Sequence, residues 1–171
     1  MGMGSAAGIA GGAAGAFVVQ AAEVERAELP HGAFQLLADA SSTGGAFGAN
    51  RLTLGVGADG ARPHCHAVSW EVFTVLDGAA EFLLGERTEA VAAGGLVAVP
   101  PGLPHAFGAA PGSSTDLLVV ATPGVERFEY FRRLSGIAWG RERFDDLLPD
   151  QDTYDVHFVE SAVWDAARAR G

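Results

Sequence analysis

The sequence predicts an all-β body, a sandwich or small barrel, with a short helical extension at its C-terminus. Between Phe34 and Thr122 apolar and polar residues alternate over short runs, the period-two pattern of half-buried strands. Closely spaced turn dipeptides, Asp59-Gly60, Asp77-Gly78 and Gly94-Gly95, divide these runs. After Pro123-Gly124 the period changes, and Phe128, Phe131 and Leu134 recur at helical spacing.

Residues 1–16 read as a flexible Gly/Ala-rich tail, because they hold no basic residue, no sustained run of large apolar side chains and too many glycines for a spanning helix. Residues 17–123 are assigned to the barrel. Within it Leu52, Leu54 and Val56 mark one inward face, Glu71, Phe73 and Val75 a second, and Leu117, Val119 and Ala121 a third. Gly85 separates Leu84 from a strand over Arg87 to Val91, and Gly94-Gly95 opens the next. Residues 124–171 form the extension. A helix through Phe128 and Leu134 and a less regular one through Phe144, Leu147 and Leu148 are expected outside the barrel, and a last helix is expected to start at the N-cap Ser161 and carry Val163, Trp164 and Ala167.

Composition excludes several chemistries. At 171 residues, 49% of them hydrophobic, the chain suits one domain with a sizeable core. A formal net charge of -10 and a pI near 4.8 repel phosphate backbones and anionic lipid, so neither nucleic acid nor membrane is an expected partner. All eleven basic residues are arginine. Without lysine there is no Schiff-base catalysis, pyridoxal phosphate attachment or phosphate-loop lysine. The single cysteine excludes an internal disulfide framework and fits a reducing cytoplasm, the expected location.

The residues that carry chemistry are His64, His66, Glu71 and His105. Alternate side chains of a strand share a face, so His64 and His66 point one way and Cys65 the other, as a small buried apolar residue. Glu71, on the next strand, projects back toward the two imidazoles together with Phe73 and Val75. The Pro100-Pro101-Gly102 turn delivers His105 to the start of another strand. Three nitrogen donors and one carboxylate suit a single divalent transition ion, iron, manganese, nickel, cobalt, copper or zinc, more than calcium or magnesium. His31 and His157 have no such partner spacing and read as structural or solvent-facing.

These two stretches resemble the paired motifs of the cupin superfamily. The first is matched by His64, His66, Glu71 and Gly78, with Ala58 where that pattern has its leading glycine; the second by Gly94, Pro100, Gly102 and His105, with Ala109 where it ends in asparagine. The resemblance implies a cupin-type jelly-roll β-barrel and a homodimer, with a segment such as Ala33 to Leu37 pairing with a second copy. More specifically, the chain is similar to single-domain bacterial quercetinase-like cupins, less specifically so in the tail LLPDQDTYDVHFVESAVW. That likeness implies a metal-dependent dioxygenase acting on a hydroxylated aromatic or polyketide-like small molecule. Glu71 is then the catalytic base as well as a ligand. Parity places Phe73 and Phe107 in the substrate pocket with Val97 nearby; Asn50 is a polar contact or a turn residue, and Arg62 at the rim steers an anionic substrate. The alternatives are a non-redox metal-dependent cyclase or isomerase and a non-catalytic, metal-stabilised binding module.

Overall fold

The computed structural model describes residues 15–170, so most of the sequence assigned to the flexible tail lies outside the described residues. One sheet is built from β1 (Glu25–Leu29), β2 (Gly32–Ala38), β3 (Gly48–Leu54), β9 (Thr115–Thr122), the first half of β5 (Trp70–Leu84) and β7 (Leu96–Val99). The second half of β5 pairs with β6 (Arg87–Ala92) and β8 (His105–Ala109); β8 continues to β4 (His64–Cys65), and β4 to β10 (His157–Phe158). All pairings are antiparallel. This is the cupin jelly roll that the strand spacing and motifs predict.

The two sheets share β5, which passes from one to the other where its register against β9 shifts between Val75 and Asp77. Gly78 stands at this corner with φ 67°, and a Cβ there would lie 2.0 Å from the Ser114 carbonyl oxygen, so only glycine fits. Inward residues of both sheets, among them Leu52, Leu54, Phe73, Val75, Val99, Leu117 and Val119, form one apolar core. The predicted inward alternation holds on β3, β5 and β9 as far as Leu54 on β3. Val56 is instead 71% exposed, because the strand ends at Leu54 and the chain turns through Gly57 at φ 66°. Gly55 to Gly60 has a GxGxxG spacing, but it leads from β3 toward β4 and opens no helix, so it lacks the dinucleotide-binding context.

The C-terminal extension is more deeply integrated than expected. Helix α1 (Phe128–Ala138) packs Phe128, Phe131 and Leu134 on the barrel core, and Ser135 Oγ and Trp139 Nε1 both donate to the Glu28 carbonyl, at 2.6 and 3.0 Å. Phe144–Asp150 winds as a 3-10 segment containing Pro149, which accounts for its irregular apolar spacing, and runs into α2 (Gln151–Tyr154). The chain then adds strand β10 to the edge of β4, an element no alternation in the sequence announces. Helix α3 (Ala162–Arg168) starts at Ser161, whose hydroxyl accepts from Trp164 N at 3.2 Å, the predicted cap. Trp164 packs on Leu83 and Ala106, and Arg168 donates to the Gly57 and Ala109 carbonyls at 2.8 Å each.

The segment Ala33 to Leu37 lies inside β2, flanked by β1 and β3, and has no free edge for a second copy. The edge belongs to β1, whose Arg26–Glu28 ion pair and Glu25 make it a charged one. Among the described residues no helix is long and apolar enough to cross a membrane.

Candidate metal centre

The fold brings His64, His66, Glu71 and His105 together, all buried, with their ligand atoms within 4.8 Å of one another. His64 and His105 are directly opposite across the β4–β8 pair. Glu71 enters from β5, and His66 follows β4 at the turn toward β5. The turn before β8 is tied to this strand end, because Gly102 N donates to the His66 carbonyl at 2.7 Å.

Backbone carbonyls fix the three imidazoles. Nδ1 of His64 donates to Arg62 O at 2.7 Å, Nδ1 of His66 to Asp155 O at 2.5 Å and Nδ1 of His105 to Leu103 O at 3.0 Å. A neutral ring that spends its proton on Nδ1 offers a lone pair on Nε2. The three Nε2 atoms lie 3.9, 3.0 and 2.9 Å from Glu71 Oε2 for His64, His66 and His105 respectively. Burial, followed by the neighbouring His105 ring, holds the His64 pKa well below the ordinary histidine value, so it stays neutral. Burial opposes the charge on Glu71, and His66 and His105, wherever they carry a proton on Nε2, lower the carboxyl well below the usual carboxylate range; with the protons on Nδ1 that support is gone. Three lone pairs and an anion facing one point repel unless a cation stands between them. Bonds of about 2.0–2.2 Å to a common centre fit oxygen–nitrogen separations of this size.

A ring of partners that sequence reading missed surrounds these donors. Arg127, 6% exposed, places Nη1 3.6 Å from Glu71 Oε1 and donates to Tyr154 O at 2.8 Å and to Asp155 O at 3.1 Å. Glu71 therefore faces Arg127 with one oxygen and the histidines with the other. Asp39 accepts the backbone N–H groups of Arg127 and Phe128 at 2.7 and 3.1 Å, capping α1 from another element. Asp155 adopts the left-handed conformation at φ 51°, and its carboxylate accepts Ala67 N at 2.6 Å and Ser69 N at 3.1 Å. One residue of the extension thus holds both the His66 ring and the turn that leads to Glu71. No spacing rule ties Arg127 or Asp39 to the motif. Asp155 does fall within the tail LLPDQDTYDVHFVESAVW.

The remaining candidates are placed less uniformly. Cys65 is half-buried on β4, opposite His157 and outside the donor cluster. His157 is half-buried, 3.6 Å from the Asp155 carboxylate. Asn50 is buried on β3 and borders a void of about 10 Å³ with Glu71 and Arg127. Phe73, Phe107 and Val97 do point inward, but in a barrel this small they fill the core, Phe73 meeting Phe107 at 4.9 Å between ring centres, and none of the three borders the apolar cavity beside the extension. The apolar cavity lies instead between the barrel and the extension. It measures about 320 Å³, and its walls include Phe34, Leu52, Leu54, Tyr130, Leu134, Phe144 and Phe158. Phe158 brings this wall to 6.4 Å from His64, ring centre to ring centre.

With this geometry in view, residues 50–122 match the cupin domain model Cupin_2. The barrel has the cupin fold. Among solved structures, the polyketide cyclase RemF from Streptomyces resistomycificus is 25% identical, with a TM-score of 0.52 over 63% of this chain and 80% of that one. A sugar phosphate isomerase of the cupin superfamily from Silicibacter pomeroyi is 23% identical, with a TM-score of 0.52 over 61% and 74%. A predicted oxalate decarboxylase from Thermotoga maritima is 18% identical, with a TM-score of 0.55 over 62% and 98%. Comparison with curated proteins finds no match.

Two outcomes follow from the site. Changing His64, His66 or His105 to Ala should lower metal affinity by more than the roughly 10–100-fold typical of losing an outer partner, whereas Cys65→Ser should retain the metal; elemental analysis of the purified variants decides, and full occupancy of His105→Ala would refute the ligand set. The second concerns acid. Burial raises the Asp155 carboxyl, but the backbone donors Ala67, Ser69 and Val68 and the charge on Arg127 outweigh it, leaving a lowered pKa. A lowered carboxylate stabilises the fold above its unfolded pKa of about 3.9 and loses that contribution as pH falls through the folded value. Urea unfolding from neutral pH down to about pH 2 should show Asp155→Asn less stable at neutrality, with the gap closing below about pH 4. A gap that stays constant would remove Asp155 from the acid response.

Proposed function

We propose that the protein is a metal-dependent cupin enzyme that works without net oxidation, as a cyclase or isomerase on a small ring-bearing, hydroxylated or polyketide-like molecule. The observation that carries this reading is the buried donor set of three imidazole nitrogens and one carboxylate, set beside an apolar cavity. A divalent ion bound by His64, His66, Glu71 and His105 supplies Lewis acidity toward a substrate carbonyl or hydroxyl. The non-redox reading is favoured over the dioxygenase expectation by the likeness to a polyketide cyclase.

The chain's own groups then have distinct tasks. The Glu71 carboxylate is the acceptor for a substrate proton, and Arg127 at 3.6 Å steadies its outer oxygen. Phe34, Leu52, Phe144 and Phe158 exclude water from the ring of the substrate. At about 320 Å³ the cavity stands at the low end of the roughly 300–1,000 Å³ range of ligand pockets, which favours a mono- or bicyclic ligand over a larger one.

The dioxygenase reading rests on the quercetinase-like motif resemblance and uses the same donors, so oxygen separates the two. Offered a panel of hydroxylated aromatics and polyketide-like phenols, the zinc-loaded protein should convert its substrate equally fast under strict anaerobiosis and in air. Conversion that consumes dioxygen and fails with zinc would return the assignment to the oxygenases. Binding with no conversion in either atmosphere would favour the binding module. Glu71→Gln should keep most of its metal, because three imidazoles remain, yet turn over about 10²-fold more slowly; a parent-like rate would exclude Glu71 as the base.

A further inference from the structure

The cavity between α1 and the barrel has two polar features that nothing in the protein uses. Tyr130 is 7% exposed and lines the inner wall, where the charges of Arg127 and Glu71 are felt. Its hydroxyl bonds to no described residue. The only sealed side-chain polar atom without a partner among the described residues is Thr115 Oγ1, so the Tyr130 hydroxyl is open to the cavity that it lines. Burial pushes this phenol above its ordinary pKa, with Arg127 opposing and Glu71 adding, so it is a hydrogen-bond donor at neutral pH.

Arg62 stands at the other end. Its guanidinium lies 4.2 Å from the centre of the Phe144 ring, which restrains it at the rim, and it forms no ion pair with a described residue. Two other polar residues share the lining. Asp59 is neutralised by Arg168 at 2.8 Å, and His31 sits on the exposed turn between β1 and β2. The charge available to a ligand at the rim is therefore the Arg62 cation. The outer groove beyond it also contains Glu160 and Asp165, neither of which reaches Arg62.

We propose that this cavity is the substrate subsite of the reading above, and that it selects a planar ring bearing an anionic group, which Arg62 pairs at the rim, and an acceptor oxygen, which Tyr130 bonds at the inner end. The walls of Phe34, Leu52, Leu54, Leu134 and Phe158 accept the ring. Arg62 is the specificity residue, and Tyr130 a positioning residue that fixes the ring's oxygen at the inner end. The Arg62 backbone carbonyl also holds the His64 ring, so substrate charge and ligand orientation meet at one residue.

Three probes test this by titration calorimetry on the full-length protein: chromone carboxylate, which has both groups, the neutral chromone carboxamide, and naphthoate, which lacks the ring carbonyl. The carboxylate should bind at least about tenfold more tightly than the carboxamide, as expected for a charge-assisted pair. Arg62→Gln should erase that preference with metal content unchanged. Tyr130→Phe should weaken chromone carboxylate severalfold and leave naphthoate as it was, a split that general damage to the fold would not produce. Leu134→Trp, with Ile137→Trp as a second filling variant, should abolish binding of all three. The proposal is overturned if none of the probes binds, if the preference survives in Arg62→Gln, or if a folded, metal-retaining filled variant binds as the parent does. Binding is read without turnover. Failure of the enzyme assay with these binding results intact would remove the catalytic reading and leave the subsite standing.

Discussion

Three imidazole protons committed to backbone carbonyls set the terms for the centre of this molecule. Because Nδ1 of His64, His66 and His105 is spent on Arg62 O, Asp155 O and Leu103 O, all three Nε2 lone pairs are turned toward Glu71. The carbonyls belong to segments outside regular strands, so the loops hold the tautomers and the sheet holds the spacing. The single β4–β8 pair sets His64 directly against His105, whereas His66 depends on a residue nearly ninety positions later. Its partner Asp155 is carried by the extension.

That dependence makes the C-terminal segment part of the site. It supplies the carbonyl that orients His66, the carboxylate that organises the Ala67 to Ser69 turn and the Phe158 ring beside His64. Arg127 and Asp39 join it to the strands from below: one guanidinium meets the carbonyls of Tyr154 and Asp155, and one carboxylate caps the helix that carries it there. An isolated barrel spanning the family match at residues 50–122 would retain the four donors and lose the groups that aim two of their atoms, His66 Nδ1 and Glu71 Oε1.

The barrel and the ligand set were legible in the sequence for a definite reason. Strand parity and the turn residues act locally, so His64-x-His66, Glu71, Gly78 and His105 could be placed without knowing anything distant. The pocket was not legible. Parity says that Phe73 and Phe107 face inward, but facing inward in a small barrel means filling it, and only the packing of the whole molecule shows where space remains. The supporting shell was hidden for a related reason: Arg127, Asp39 and Asp155 act across long sequence separations, and no periodicity encodes such contacts. Strand β10 is too short to show alternation, so its pairing with β4 was equally silent.

Charge decides what kind of ion this arrangement suits. The buried ionisable groups around the centre are Asp39, Glu71, Asp155 and Arg127, three carboxylates against one guanidinium. Burying unpaired charge costs several kcal/mol per ion, and a cluster with excess negative charge is stable only if something offsets it. The α1 N-terminus on Asp39 and the turn amides on Asp155 spread part of that charge into hydrogen bonds. They do not cancel it. A dication brings the cluster to formal neutrality, whereas a monovalent ion leaves an excess anion, and protonating a histidine would turn one of the lone pairs away from service as a ligand. The same shell that orients the donors would therefore favour a divalent guest, and a nitrogen-rich donor set is the kind that suits transition ions.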